Sequence, residues 1–217
     1  MKKAVIFDLD GTLTDSLDSI AYCTNQALAV YGLAPFERDR YRYFVGDGAE
    51  ELLKRVLLAD GDTDLTYYDR IKASYHDIFE RDCMYHVVPY RGIPETLDAL
   101  RKKQIRIAVL SNKPHARTQD VIHAVFGEGV FDIIQGQTPK IARKPSPEGV
   151  FLIAKEWGLT PKEIIYLGDT DTDMQTGTQA GAYTIGALWG FRDRAELEAN
   201  HADAILTQPE ELLNYFI

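Results

Sequence analysis

The chain has 217 residues, 45% of them hydrophobic and 26% charged, enough to bury one ordinary globular core with or without an insert. Its formal charge of -9 excludes a surface built to collect nucleic acid or anionic lipid, because both need a basic patch; an anionic substrate has to be handled locally. Cys23 and Cys83 form neither a C-x-x-C arrangement nor part of a dense framework, so they read as reduced, partly buried thiols of a cytoplasmic protein.

The opening run "AVIFDLD" (4–10) reads as a strand, and its break at Asp8 stops it far short of a signal-peptide core or a membrane span. No membrane partner is expected. From about Asp15 to Pro89 no convincing strand occurs. Leu17, Ile20, Ala21, Thr24, Ala27, Leu28 and Tyr31 lie on one helical stripe, with Asp15 or Ser16 as N-cap and Gly32 as stop. Leu52, Leu53, Val56 and Leu57 predict a second helix, and Leu65, Tyr68, Ile71, Tyr75, Ile78 and Phe79 a third. Beyond Gly92, the β-rich runs 105–111, 131–134, 163–169, 182–188 and 202–206 alternate with helical patterns. Near-continuously apolar strands of this kind belong to a parallel sheet covered on both faces. The expected fold is a doubly wound α/β core, residues 1–14 and 88–217, with a small helical domain, residues 15–87, inserted after the first strand.

In "VIFDLDGTLTDS" two carboxylates end an apolar run, where a buried charge needs compensation. Residues two apart on a strand share a face, so Asp8 and Asp10 converge while Leu9 turns away. Gly11 lets the backbone leave the strand, and the amides of the following turn, at Gly11 and Thr12, are expected to face an anion. Other polar residues end later strands: Ser111 and Asn112 in "AVLSNK", and Asp169 in "IIYLGD". Lys144 stands before a helix that Pro145 or Pro147 could open. If the first, second and fourth strands are neighbours, these groups meet at one edge of the sheet, where open α/β sheets bind ligands. Close carboxylates need a cation between them, and all-oxygen ligands suit Mg2+.

The order and content of these motifs resemble the haloacid dehalogenase superfamily of phosphohydrolases, carried by "DLDGT" (8–12), Ser111, Lys144 and "GDTDTD" (168–173). The resemblance spans essentially the whole chain. It implies that Asp8 is a nucleophile and Asp10 a general acid and base, that Ser111 binds the phosphoryl group, and that Lys144 neutralises it and steadies Asp8. It also implies magnesium held by the Asp8 carboxylate, the Asp10 carbonyl and Asp169, with Asp173 in support, and it makes the insert a helical cap. The acid-base roles also follow from the chemistry, since carboxylate attack on phosphorus divides a very slow hydrolysis into formation and breakdown of an aspartyl phosphate.

The segments "VGDGAEELLKRVL" and "GALWGF" (186–191) look like those of phosphoglycolate phosphatases within this family, which implies 2-phosphoglycolate as substrate and makes Gly46, Asp47 and Gly48 candidates for facing it. Similar chains act on pyrophosphate, nucleotides or sugar phosphates, or are phosphomutases. A non-catalytic binding module on the same fold is the alternative of another class. Met174 stands where a D-x-D-x-D calcium loop starting at Asp169 needs Gly, which removes that reading. Arg38, Arg40 and Arg42 read as a solvated charge run, and the five histidines lack zinc-like spacing. A small phosphorylated substrate and a monomer or homodimer are expected.

Overall fold

The structure, a computed structural model, describes residues 2–216. They divide into two compact units, one formed by the residues up to Asp15 together with those from Val88 onward, the other by Ser16–Val87. In chain order the elements are β1 (Ala4–Phe7), β2 (Thr14–Asp15), α1 (Leu17–Ala29), α2 (Ala49–Asp60), α3 (Tyr68–Asp82), β3 (Val88–Pro89), α4 (Ile93–Lys102), β4 (Arg106–Pro114) and α5 (His115–Phe126). There follow β5 (Ile133–Gln137), α6 (Glu148–Trp157), β6 (Ile164–Gly168), α7 (Asp171–Ala180), β7 (Tyr183–Ala187), α8 (Arg194–Ala199) and β8 (Ala204–Leu206).

The six predicted strands form one parallel sheet in the order β5-β4-β1-β6-β7-β8. β1 and β6 are buried along their whole length, which explains why they carry no polar alternation. On one face, Ala4, Ile6, Ala108, Leu110, Ile164 and Tyr166 pack with Val150, Ile153, Ala154 and Trp157 of α6. The chain runs from β1 outward through β4 to β5, then returns to the other side of β1 for β6. That reversal makes the carboxyl ends of β4, β1 and β6 the natural place for a ligand. Two strands absent from the sequence reading, β2 and β3, pair antiparallel where the helical insert leaves and rejoins the core. Two-residue strands carry no periodicity to detect.

The helical unit buries the predicted stripe of α1 and the Ile71, Tyr75, Ile78 and Phe79 stripe of α3, and the two helices pack together. Cys23 and Cys83 are both buried in it. The third helix begins later than the stripe suggests. Leu65 has φ +52°, and the Asp62 carboxylate accepts from the amides of Thr66 and Tyr67 at 2.9 Å each, so the chain turns before Tyr68. Arg38, Arg40 and Arg42, read as a solvated charge run, lie in a 3-10 helix, Arg38–Tyr43, seated by the wholly buried Tyr41, whose hydroxyl donates to Asn25 Oδ1 at 2.7 Å. Arg38 donates to Asp18 at 2.5 Å. Among the described residues no helix is long and apolar enough to cross a membrane.

Candidate active site

Asp8 continues β1 by one residue, its amide donating to Leu167 O at 2.9 Å, and its side chain lies at the carboxyl end of the sheet. Leu9 is fully buried and Asp8 nearly so, whereas the Asp10 side chain keeps 20% of its exposure. β4 runs past its expected end at Ser111 as far as Pro114, with a register irregularity between Leu110 and Pro114. Irregularities of this kind re-aim side chains. Here Ser111 Oγ accepts from Lys113 N at 3.1 Å, and the Lys113 ammonium donates to both oxygens of Asp10, at 2.6 and 2.8 Å.

Lys144 lies in the loop before α6, and Pro147 N-caps that helix. Its buried ammonium donates to Asp8 Oδ1 and to Asp173 Oδ1, both at 2.7 Å. Asp173 is the third residue of α7 in a capping box with Thr170. Its Oδ2 accepts from the amides of Asp169 and Thr170 and from the Thr170 hydroxyl, at 3.2, 3.1 and 2.8 Å, and the Tyr166 hydroxyl donates to Oδ1 at 3.2 Å. Asp173 is therefore fully engaged and sits behind the site, holding Lys144 in line with Asp8. Asp169 follows β6; its Oδ1 accepts from the Thr12 hydroxyl at 2.9 Å and its Oδ2 from Phe191 N at 2.8 Å.

Three groups near the predicted site have partners within the protein. The Asn112 side chain, expected near substrate, also fastens the Lys144 backbone: its Nδ2 donates to Lys144 O at 3.2 Å and its Oδ1 accepts from Lys144 N at 2.9 Å. Thr12 is wholly buried and directs its hydroxyl to Asp169. The Gly11 and Thr12 amides, expected to face an anion, close their own turn, donating to Thr14 O at 2.9 Å and Leu9 O at 3.3 Å. A buried turn has to satisfy its own donors first. What Gly11 supplies is space, since at φ +95° an added Cβ would lie 2.3 Å from Asp169 Oδ2. Gly46, Asp47 and Gly48 stand in the turn before α2, where the Asp47 carboxylate pairs with Arg55; Gly46 and Gly48 have φ +120° and +86°.

Oxygen atoms of Asp8, Asp169 and Asp173 lie within 4.8 Å of one another, all three residues buried. Burial, followed by the neighbouring Asp173 charge, pushes Asp8 up to about 7 despite the opposing effect of Lys144. Asp169 is raised well above the ordinary carboxylate range by burial and by the Asp173 and Asp8 charges. Burial alone would lower Lys144, but Asp173 and Asp8 more than reverse it and keep the ammonium charged. Two lysines thus face four carboxylates, Asp8, Asp10, Asp169 and Asp173, leaving a local deficit of two positive charges among oxygen ligands. That donor set fits a divalent hard cation such as Mg2+.

Lys113 is the charged residue of this centre that the sequence reading left out, alongside the Tyr166 and Thr170 hydroxyls that hold Asp173. The signal was present, since it follows Ser111 and Asn112 directly, but a lone lysine after a strand ordinarily projects into solvent.

A family model described as haloacid dehalogenase-like hydrolase matches residues 5–187. The chain belongs to that family of enzymes. Among curated proteins it is 32% identical over 215 residues to a phosphoglycolate phosphatase of Aquifex aeolicus, covering 97% of this chain and 95% of the relative. It is 28% identical to an N-acetylmuramic acid 6-phosphate phosphatase of Pseudomonas aeruginosa, covering 98% and 93%. A crystal structure from Lactobacillus delbrueckii subsp. bulgaricus, provisionally named a phosphoglycolate phosphatase, superposes with a TM-score of 0.93 at 27% identity, covering 100% and 99% of the two chains.

Proposed function

We propose that the protein is a magnesium-dependent phosphatase that hydrolyses a small phosphomonoester, 2-phosphoglycolate in the first instance, through an aspartyl phosphate on Asp8. The observation that carries this reading is the Asp8 carboxylate at the end of β1, held by Lys144 through one oxygen, with Asp10 two residues further along the chain. Asp8 attacks phosphorus and the bond to the leaving alkoxide breaks as Asp10 supplies that oxygen with a proton. Water then attacks the acyl phosphate, Asp10 takes a proton from it, and inorganic phosphate and the Asp8 carboxylate are released. Ser111 binds the phosphoryl group, and Lys144 stabilises charge on it while holding Asp8. Asp8, Asp169 and the Asp10 carbonyl would hold the magnesium ion, with Asp173 in support through Lys144. The ion supplies neutralisation of the phosphoryl oxygens.

Lys113 donates to both oxygens of Asp10, one hydrogen bond on each, and each oxygen keeps a lone pair for the proton that Asp10 passes to a leaving oxygen. The helical unit is the cap of this reading, and its Gly46–Gly48 turn the proposed determinant of substrate preference. A second reading comes from the Pseudomonas relative, named for a sugar phosphate. 2-Phosphoglycolate and N-acetylmuramic acid 6-phosphate are both phosphomonoesters that also carry a carboxylate, next to the ester carbon in the first and on the lactyl ether across the sugar ring from the phosphate in the second. Turnover is to be measured with magnesium on both compounds, pyrophosphate, nucleoside monophosphates and β-glucose 1-phosphate. Highest kcat/KM for 2-phosphoglycolate supports the first reading, highest for the muramic ester the second, and best turnover of a carboxylate-free compound removes both.

A further inference from the structure

Asp169 is gripped by a loop that contributes no ligand. After β7 the chain passes through Leu188, Trp189, Gly190 and Phe191, and Phe191 N donates to Asp169 Oδ2 while the Thr12 hydroxyl donates to Oδ1. With one donor on each oxygen the carboxylate cannot rotate, and each oxygen retains a lone pair for a cation. A Cβ on Gly190 would lie 2.3 Å from Asp169 Cβ and 2.4 Å from the Gly11 carbonyl oxygen, so no other residue lets the loop lie against this carboxylate. The Trp189 indole N–H donates to Thr12 O at 2.9 Å, tying the loop to the same residue whose hydroxyl holds Asp169. The far end of the loop is fixed as well: Arg192 Nε donates to Glu196 at 2.8 Å, and Asp193 caps α8 by accepting from Glu196 N.

We infer that Trp189, Gly190 and Phe191 are positioning residues of the metal site, and that magnesium affinity depends on this loop being closed on Asp169. The inference rests on the metal reading above. Groups that orient a ligand typically govern affinity by roughly 10- to 100-fold. Removing the space at Gly190 displaces Asp169 or opens the loop, and either change spoils the carboxylate orientation. Losing the indole donor loosens the same ring of contacts with no new bulk. Because Trp189 is itself part of the ring, cation binding should reach its fluorescence. The second tryptophan, Trp157, lies in α6 within the core and can be replaced to leave a single reporter.

The test is calorimetric titration of the full chain with MgCl2, for the wild type, Gly190→Ala and Trp189→Phe, alongside magnesium titration of Trp189 fluorescence in Trp157→Phe. Thermal midpoints of the metal-free proteins accompany each titration. The expected result is a loss of affinity of about 10-fold or more in Gly190→Ala and of severalfold in Trp189→Phe. A saturable change in Trp189 emission should have the calorimetric midpoint. If Gly190→Ala does not fold, Trp189→Phe and the emission titration decide alone. Wild-type affinity in the folded variants, or emission indifferent to magnesium that binds, overturns the inference. Absence of magnesium binding by the wild type overturns the metal reading beneath it.

Discussion

The site holds two aspartate–lysine pairs, built in opposite ways. Asp8 and Lys144 belong to a closed network: Lys144 also binds Asp173, Asp173 is held by Thr170 and Tyr166, and Asn112 fastens the Lys144 backbone at both ends. The side chains are almost fully buried, at 9% exposure for Asp8, 4% for Lys144 and none for Asp173. Asp10 and Lys113 form a simpler pair, and the Asp10 side chain keeps 20% of its surface. A group that attacks phosphorus has to be held still, because misplacement by about 1 Å can cost ~100-fold in rate. A group that serves first a leaving oxygen and then a water has to reach two positions. On the proposed mechanism, the difference between the pairs is the difference between fixing a nucleophile and freeing a proton carrier.

The largest expected effect tests the fixed side. Asp8→Asn should abolish turnover while the metal-free protein unfolds at a higher temperature, because the amide cannot attack and a buried like charge is gone. Phosphate trapped on any other residue of the wild type, read by mass spectrometry, would break the comparison. Asp10→Asn should lower the rate by roughly 10²–10⁴. The loss should be smaller for nitrophenyl phosphate, whose leaving group needs no proton, and an equal loss across leaving groups contradicts the mobile role.

Stability should separate the two lysines. Lys144→Met leaves Asp8 and Asp173 buried without their cation and should cost about 3–5 kcal/mol in denaturant unfolding. Lys113→Met leaves a carboxylate that can be hydrated, and should cost roughly 1 kcal/mol. Equal losses would mean that the pairs are held alike.

The last effect is the pH dependence. The Asp8 carboxyl is raised from the ordinary carboxylate range to about 7, so the stability of its protonated form is complete below about 4 and is lost as pH rises through 7. The metal-free protein should therefore lose stability between about pH 4 and 7. Magnesium binds the ionised carboxylate, so its increment in thermal midpoint should grow over the same interval, with proton uptake by the buffer. An increment flat with pH would show that Asp8 is ionised before the ion arrives.

The parallel sheet was legible because strands buried on both faces are continuous apolar runs, and the ordering of Asp8, Asp10, Ser111, Lys144 and Asp169 marked the carboxyl ends of three of them. The sequence could not show which polar groups serve one another. Thr12 and Asn112 are polar residues beside a site, and only geometry reveals that one serves Asp169 and the other Lys144. Lys113 was hidden because the irregularity in β4 that aims it at Asp10 leaves no pattern in residue type. Tyr41 was masked by the arginines and aspartate around it, since a single buried aromatic gives no period. The "GALWGF" segment was noticed for its likeness to relatives, but its grip on Asp169 depends on an approach between chain segments far apart in sequence.

The two-residue ribbon of β2 and β3 carries a consequence for modularity. Thr14 pairs with Pro89 and Asp15 with Val88, so the chain departs and returns at neighbouring points, about 5 Å apart in an antiparallel pair. Whatever lies between these points closes a loop whose ends the core already holds together, and the entropic penalty of lengthening such a loop grows only logarithmically. The core sheet is therefore indifferent to the size of what is inserted there. Ser16–Val87 can diverge, grow or be exchanged for another insert on the same two rungs, while the carboxylates at the ends of β1 and β6 stay where they are.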